Sequence, residues 1–233
     1  VKVEVAVAKV GKWATSESGD TLEVIERPRG GLSAVLVDGQ RSGRAAKAIS
    51  NLVARKAINE LAEGVRDGAA ARAAHDYLHV YKGGKVSATL NIVSVDLETE
   101  TLVLSRNNPC PTIVVTAQGE LQVLDEPSRA VGIYLRTKPL ITEIALEAGL
   151  TVVVFTDGLV SAGERRGGVL DLPAMVENMV AGKQSAQQMA DELLERALER
   201  EQGRPRDDIS VLVLQVVPDE STQVRRMWVS VPI

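Results

Sequence analysis

The chain lacks the raw material for several common kinds of site. Its 233 residues include one cysteine, Cys110, and two histidines, His75 and His79. A single thiol excludes an internal disulfide and points to a reducing compartment. Aromatic residues make up only 3% of the sequence, so a core must be filled with Val, Leu, Ile and Ala. No apolar run reaches the length of a membrane span. The first residues lack the charged-then-apolar leader of a signal peptide. The net charge of −4 gives no attraction to a nucleic-acid backbone. Internal repeats, low-complexity tracts and linkers are missing too. The expectation is one cytoplasmic domain over residues 1–233 without nucleic-acid or membrane partners. Oligomeric state is left open, with a monomer favoured.

What is present centres on Ala34-Val35-Leu36-Val37-Asp38-Gly39, a short apolar run that ends in a carboxylate and a glycine. It reads as a buried strand, with Gly39 permitting a sharp turn. Thr151 to Phe155 followed by Thr156-Asp157-Gly158 repeats the arrangement. Arg206-Asp207-Asp208 inverts it, standing before the strand Ile209 to Leu214. Carboxylates gathered at strand ends repel one another, and a hard divalent cation relieves the repulsion.

In chain order, Val1 to Val7 alternate as a half-buried strand, Ser16 to Asp20 form a polar break, and Leu22 to Ile25 read as a second strand. Ser42 is placed to cap a helix running from Arg44 to about Arg66, and a second helix is expected from about Ala69 to Val80, ended by Gly83-Gly84. The period then changes. Ser87–Leu97, Thr101–Asn107, Thr112–Thr116, Leu121–Leu124 and Pro139–Leu146 read as strands of an antiparallel meander. Helices follow at Leu170–Met179 and Gln184–Arg200, and the last strand runs to Val217. Residues 218–233 read as an added edge strand or docked tail. Two sheets packed face to face with helices outside is the simplest arrangement, an α+β four-layer α-β-β-α sandwich.

Each motif also has a plainer meaning. One Asp-Gly pair is usually a turn, but Asp38 and Asp157 each end a wholly apolar run and Asp207-Asp208 precede one. His75 and His79 are four apart, a metal-ligand spacing; a solvated helix face is the favoured reading. Cys110, between two prolines, has no neighbouring base and reads as structural. Arg165 and Arg166 beside Gly167-Gly168 form a basic loop after Asp157; such pairs are commonly solvated, and phosphate contact is the functional reading.

Ser18-Gly19-Asp20, Val37-Asp38-Gly39 with Ser42-Gly43, Ser105 to Pro111, Phe155 to Ala162 and Arg206 to Val211 occur in that order. Together they resemble the SpoIIE-like branch of the metal-dependent (type 2C) serine/threonine phosphatases. The resemblance covers about residues 10–217. It implies two Mn²⁺ or Mg²⁺ ions and removal of phosphate from phosphoserine and phosphothreonine. By position, Asp38 would be the central catalytic ligand bridging both ions. The Gly39 carbonyl and Asp20 would serve one ion, and Asp157 and Asp207 the other, with Asp208 a neighbour. Arg165 and Arg166 are the candidate substrate contacts.

Some expected residues are replaced. Gly19 stands where more distant relatives carry glutamate. The first strand offers Lys2, Lys9 and Lys12 instead of an arginine, and no histidine matches a general acid. On the expectation that the chain has no room for an added sensor or membrane domain, it resembles the small stand-alone phosphatases of bacterial stress-response modules. A phosphorylated anti-anti-sigma (STAS-type) or stressosome protein is the implied partner. A silent binding module and a hydrolase of small phosphate esters are the alternatives.

Overall fold

The computed structural model describes residues 1–219 and 224–230, apart from the side chain of Arg29. The strands are β1 (Lys2–Val10), β2 (Asp20–Glu26), β3 (Leu32–Gly39), β4 (Ala88–Asp96), β5 (Thr101–Asn107), β6 (Thr112–Val115), β7 (Leu121–Leu124), β8 (Leu140–Ala145), β9 (Thr151–Phe155) and β10 (Ile209–Val217). The helices are α1 (Gly43–Ala62), α2 (Asp67–Lys82), the single turn α3 (Asp157–Val160), α4 (Leu172–Ala181) and α5 (Ala186–Arg200).

The strands form two five-stranded antiparallel sheets, ordered β1-β10-β9-β6-β7 and β2-β3-β4-β5-β8. Strand alternation explains how they pack. Ala34 and Leu36 of β3 join Val152 and Val154 of β9 and Leu212 and Leu214 of β10 in a core between the sheets. Val35 and Val37 point the other way, onto Val53 and Leu61 of α1 and Leu78 of α2. Val153, Phe155, Val211 and Val213 meet Val176 of α4 and Met189 and Leu193 of α5. These strands are apolar on both faces because both faces are covered. The result is the four-layer α-β-β-α sandwich.

Local chemistry sets the helix ends. Ser185 caps α5 in a reciprocal capping box with Gln188, and the Asp171 carboxylate accepts from Ala174 N at the start of α4. Gly83, at φ 58°, ends α2 in the left-handed conformation. Ser42 occupies the N-cap of α1 as expected, but its side chain makes no capping hydrogen bond.

One expectation is corrected. The strands after α2 are not one meander: β4, β5 and β8 stay in one sheet, while β6 and β7 join the other. The chain changes sheets at Asn108–Pro111 and again between β7 and β8. In the C-terminal segment, residues 224–230 adopt no strand and are exposed; Arg225 reaches back to the Glu26 carboxylate and the Gly30 carbonyl. Residues 220–223 and 231–233, part of the expected edge strand or tail, lie outside the described residues. Among the described residues no helix is long and apolar enough to cross a membrane.

Candidate active site

Asp20 opens β2 and Asp38 lies near the end of β3, and the antiparallel register sets them directly opposite each other. Asp157 follows β9 and Asp207 precedes β10. Those strands are also antiparallel neighbours, with Phe155 opposite Val211. Two carboxylates from each sheet therefore gather at one end of the sandwich. Burial, then the charges of Asp20, Asp157 and Asp207, pushes the Asp38 carboxyl up to about 9. Asp20 is fully buried; desolvation pushes it up to about 6 against the hydrogen bonds it accepts. At the exposed rim, desolvation of the carboxyl and then the Asp207 charge raise Asp157.

The Asp20 carboxylate is held asymmetrically. Its Oδ2 accepts from Ser210 Oγ at 2.6 Å and from Thr156 Oγ1 at 3.1 Å, both on the opposite sheet's side. Its Oδ1 is buried without a hydrogen-bond partner. The Asp20 carbonyl accepts from Lys9 Nζ at 2.8 Å and Lys47 Nζ at 2.6 Å. Burial of its ammonium group, then the Lys47 charge, lowers the Lys9 pKa.

Adjacent Asp207 and Asp208 differ in role. Asp208 is buried, and its carboxylate accepts from Lys12 N and Gly19 N, each at 2.9 Å. It pins the loop before Asp20 to the start of β10. Asp207 is half-buried and accepts locally, from Asp208 N.

Close packing explains two glycines. A Cβ on Gly19 would lie 2.6 Å from Ala46 Cβ and 3.1 Å from Asp208 Oδ2, so the glutamate of distant relatives does not fit here. A Cβ on Gly39 would lie 2.1 Å from the Ala46 carbonyl oxygen. Gly39 continues β3 opposite Ala88, so the close approach of α1, rather than the expected sharp turn, requires glycine.

The basic loop after α3 divides in two. Arg166 donates to the Glu201 carbonyl at 2.9 Å, while Arg165 is exposed. The buried Glu201 side chain accepts from Gly163 N at 2.9 Å and from Arg206 at 3.0 and 3.2 Å. It thus ties this loop to the residue before Asp207.

The histidines are not a solvated face. His75 is buried and its Nδ1 accepts from Gly132 N at 3.0 Å. His79 Nδ1 lies 3.0 Å from the Gly132 carbonyl. Both clasp the loop after β7. Cys110 is buried, and desolvation followed by the charges of Asp157 and Asp38 pushes its thiol up to about 12, which suits a structural residue. A cavity of about 430 Å³ beside α4 and α5, lined by Leu170, Met175, Met179 and Arg196 among others, contains none of the aspartates.

The donor set suits a hard cation: carboxylates with no thiolate or imidazole, one buried oxygen unpartnered, and another carboxyl strained by three like charges. Among the described residues no three His, Cys, Asp or Glu side chains are close enough to grip an ion.

Sequence reasoning missed Lys47, Thr156, Ser210 and the anchoring role of Asp208. Their contacts join residues far apart in the chain, so no local pattern marked them.

Comparison with known proteins places this fold. The family model for stage II sporulation protein E (SpoIIE) matches residues 28–217, and the chain belongs to that family, with the type 2C phosphatase fold. Stage II sporulation protein E of Bacillus subtilis is 21% identical over 234 residues, covering 100% of this chain and 27% of that protein. The structure of its PP2C phosphatase domain with a fragment of the regulatory domain superposes with a TM-score of 0.80 at 19% identity, covering 94% of this chain and 64% of that one. The catalytic domain of the serine/threonine phosphatase PstP, in complex with 2 manganese ions, gives 0.68 at 18% identity, with 93% and 99% covered. RsbX in complex with magnesium gives 0.66 at 20% identity, with 92% and 95% covered.

Proposed function

We propose that the chain is a metal-dependent phosphatase of phosphoserine and phosphothreonine in a bacterial regulatory protein. The observation that carries this reading is the meeting of Asp20, Asp38, Asp157 and Asp207 at one end of the sandwich, with Asp38 acted on by the other three. Asp38 would bridge two ions, Asp20 and the Gly39 carbonyl would serve one, and Asp157 and Asp207 the other. Mn²⁺ or Mg²⁺ bound there would neutralise a phosphate dianion and lower the pKa of a water near phosphorus. The protein's own part is to hold four hard-oxygen ligands on rigid strand ends and to fix Asp20 between two sheets. Lys9 and Lys47 place positive charge beside Asp20.

The partner class rests on the resemblance to small stress-response phosphatases, which implies a STAS-type or stressosome substrate. The test is phosphate release from a phosphorylated STAS-type protein, with Mn²⁺ and with chelator. Release only with Mn²⁺ supports the reading. Binding of the phosphoprotein without release would make the chain a silent interaction module. Turnover of small esters alone would make it an ester hydrolase.

A further inference from the structure

The hydroxyls of Thr156 and Ser210 converge on Asp20, one of the four aspartates, although neither residue is itself in that set. Thr156 Oγ1 accepts from Ser210 N at 3.0 Å and donates to Asp20 Oδ2 at 3.1 Å. Ser210 Oγ donates to the same oxygen at 2.6 Å. Thr156 and Ser210 are buried, and both flank the ends of β9 and β10, whereas Asp20 belongs to the other sheet. Two donors on one carboxylate oxygen, one of them short, restrict rotation about the end of the side chain. They also leave Oδ1 as the oxygen without a partner.

We infer that Thr156 and Ser210 are positioning residues: they lock Asp20 across the two sheets so that Oδ1 is presented to a divalent cation. This rests on the metal reading above. A carboxylate ligand free to turn would lose orientational entropy each time an ion bound, and one held by outer hydrogen bonds does not. The two hydroxyls also couple the sheets at the site. The ligand from β2 is aimed by the same strand ends that carry Asp157 and Asp207, so any displacement of one sheet against the other would turn Asp20.

The test measures Mn²⁺ affinity directly, by electron paramagnetic resonance and by calorimetry, without substrate. Thr156→Val and Ser210→Ala should each weaken the tighter class of Mn²⁺ binding about tenfold, and the double variant more, within the roughly 10- to 100-fold range of outer-sphere substitutions. Thr156→Ser, which keeps the hydroxyl, should restore affinity. A thermal melt in chelator, run on every variant, tests folding separately. Unchanged Mn²⁺ affinity in the folded double variant would overturn the proposal and leave the metal reading standing. So would weakening that Thr156→Ser fails to rescue. A wild-type protein that binds no Mn²⁺ removes both.

Discussion

Asp20 and Asp38 are direct cross-strand partners on β2 and β3, so two acidic side chains sit opposite each other where like charges destabilise a sheet. Burial is the main cause that raises both carboxyls, with the Asp208 charge adding for Asp20 and the charges of Asp20, Asp157 and Asp207 adding for Asp38. Such a conflict at the end of an otherwise consistent apolar ladder is the kind of local violation expected at a functional site. Asp38→Asn should abolish Mn²⁺ binding in calorimetry and cut turnover on the order of 100-fold or more. Full Mn²⁺-dependent activity in that variant would show that Asp38 is not the bridge.

The same pair sets a pH dependence. An unperturbed aspartate titrates at 3.8, and in the folded chain Asp20 is raised to about 6 and Asp38 to about 9. The folded state therefore holds these protons more tightly than the unfolded state. This contribution to stability is complete below 3.8 and is lost as pH rises through about 6 and then about 9. In chelator, Tm should fall across that interval, and Mn²⁺ should flatten the fall. Asp38→Asn, neutral at every pH, should melt close to wild type only below pH ~4 and increasingly above it as pH rises towards ~9. A chelated Tm that rises over the same window would contradict the argument.

Asp207 and Asp208 should separate by readout. Asp207→Ala should lower turnover by roughly 100-fold at saturating metal with little change in Tm. Asp208→Ala leaves Lys12 N and Gly19 N without their acceptor and should destabilise by about 1–3 kcal/mol. Its loss of turnover should be the smaller. Melting curves and kcat measured on the same preparations decide the order.

Arg165 and Arg166 should also part. Arg165 is exposed and uncommitted among the described contacts, while Arg166 holds the Glu201 carbonyl. Arg165→Ala should lower kcat/KM on a phosphoprotein about tenfold, the size of one charge-assisted hydrogen bond, and leave p-nitrophenyl phosphate unchanged. Equal losses on both substrates would make Arg165 a phosphate clamp at the metals. No loss on either would make it a solvated residue.

Much of this was legible in the chain. Ala34 to Val37 and Val152 to Phe155 read as strands because burial on both faces removes every polar residue from them. The carboxylates ending those runs were conspicuous for that reason. What stayed hidden depends on contacts distant in sequence. Thr156 and Ser210 reach Asp20 across 136 and 190 residues, and no local period encodes that. Strand patterns likewise gave β6 and β7 but not their sheet, since apolar alternation looks the same in either. His75 reads as part of a solvated helix face; the loop at Gly132 that contacts it lies 57 residues on, where no local pattern shows it.

The central claim is that four aspartates on two sheets make one metal-dependent phosphatase site, and an Mn²⁺ titration of phosphate release tests it most directly. A phosphorylated STAS-type protein is the substrate, and the chain is first stripped with chelator. The account predicts no release from the stripped protein, and release that rises with Mn²⁺ in step with calorimetric binding and is lost in Asp38→Asn. Release that persists undiminished in chelator, or that Asp38→Asn leaves intact, would contradict it.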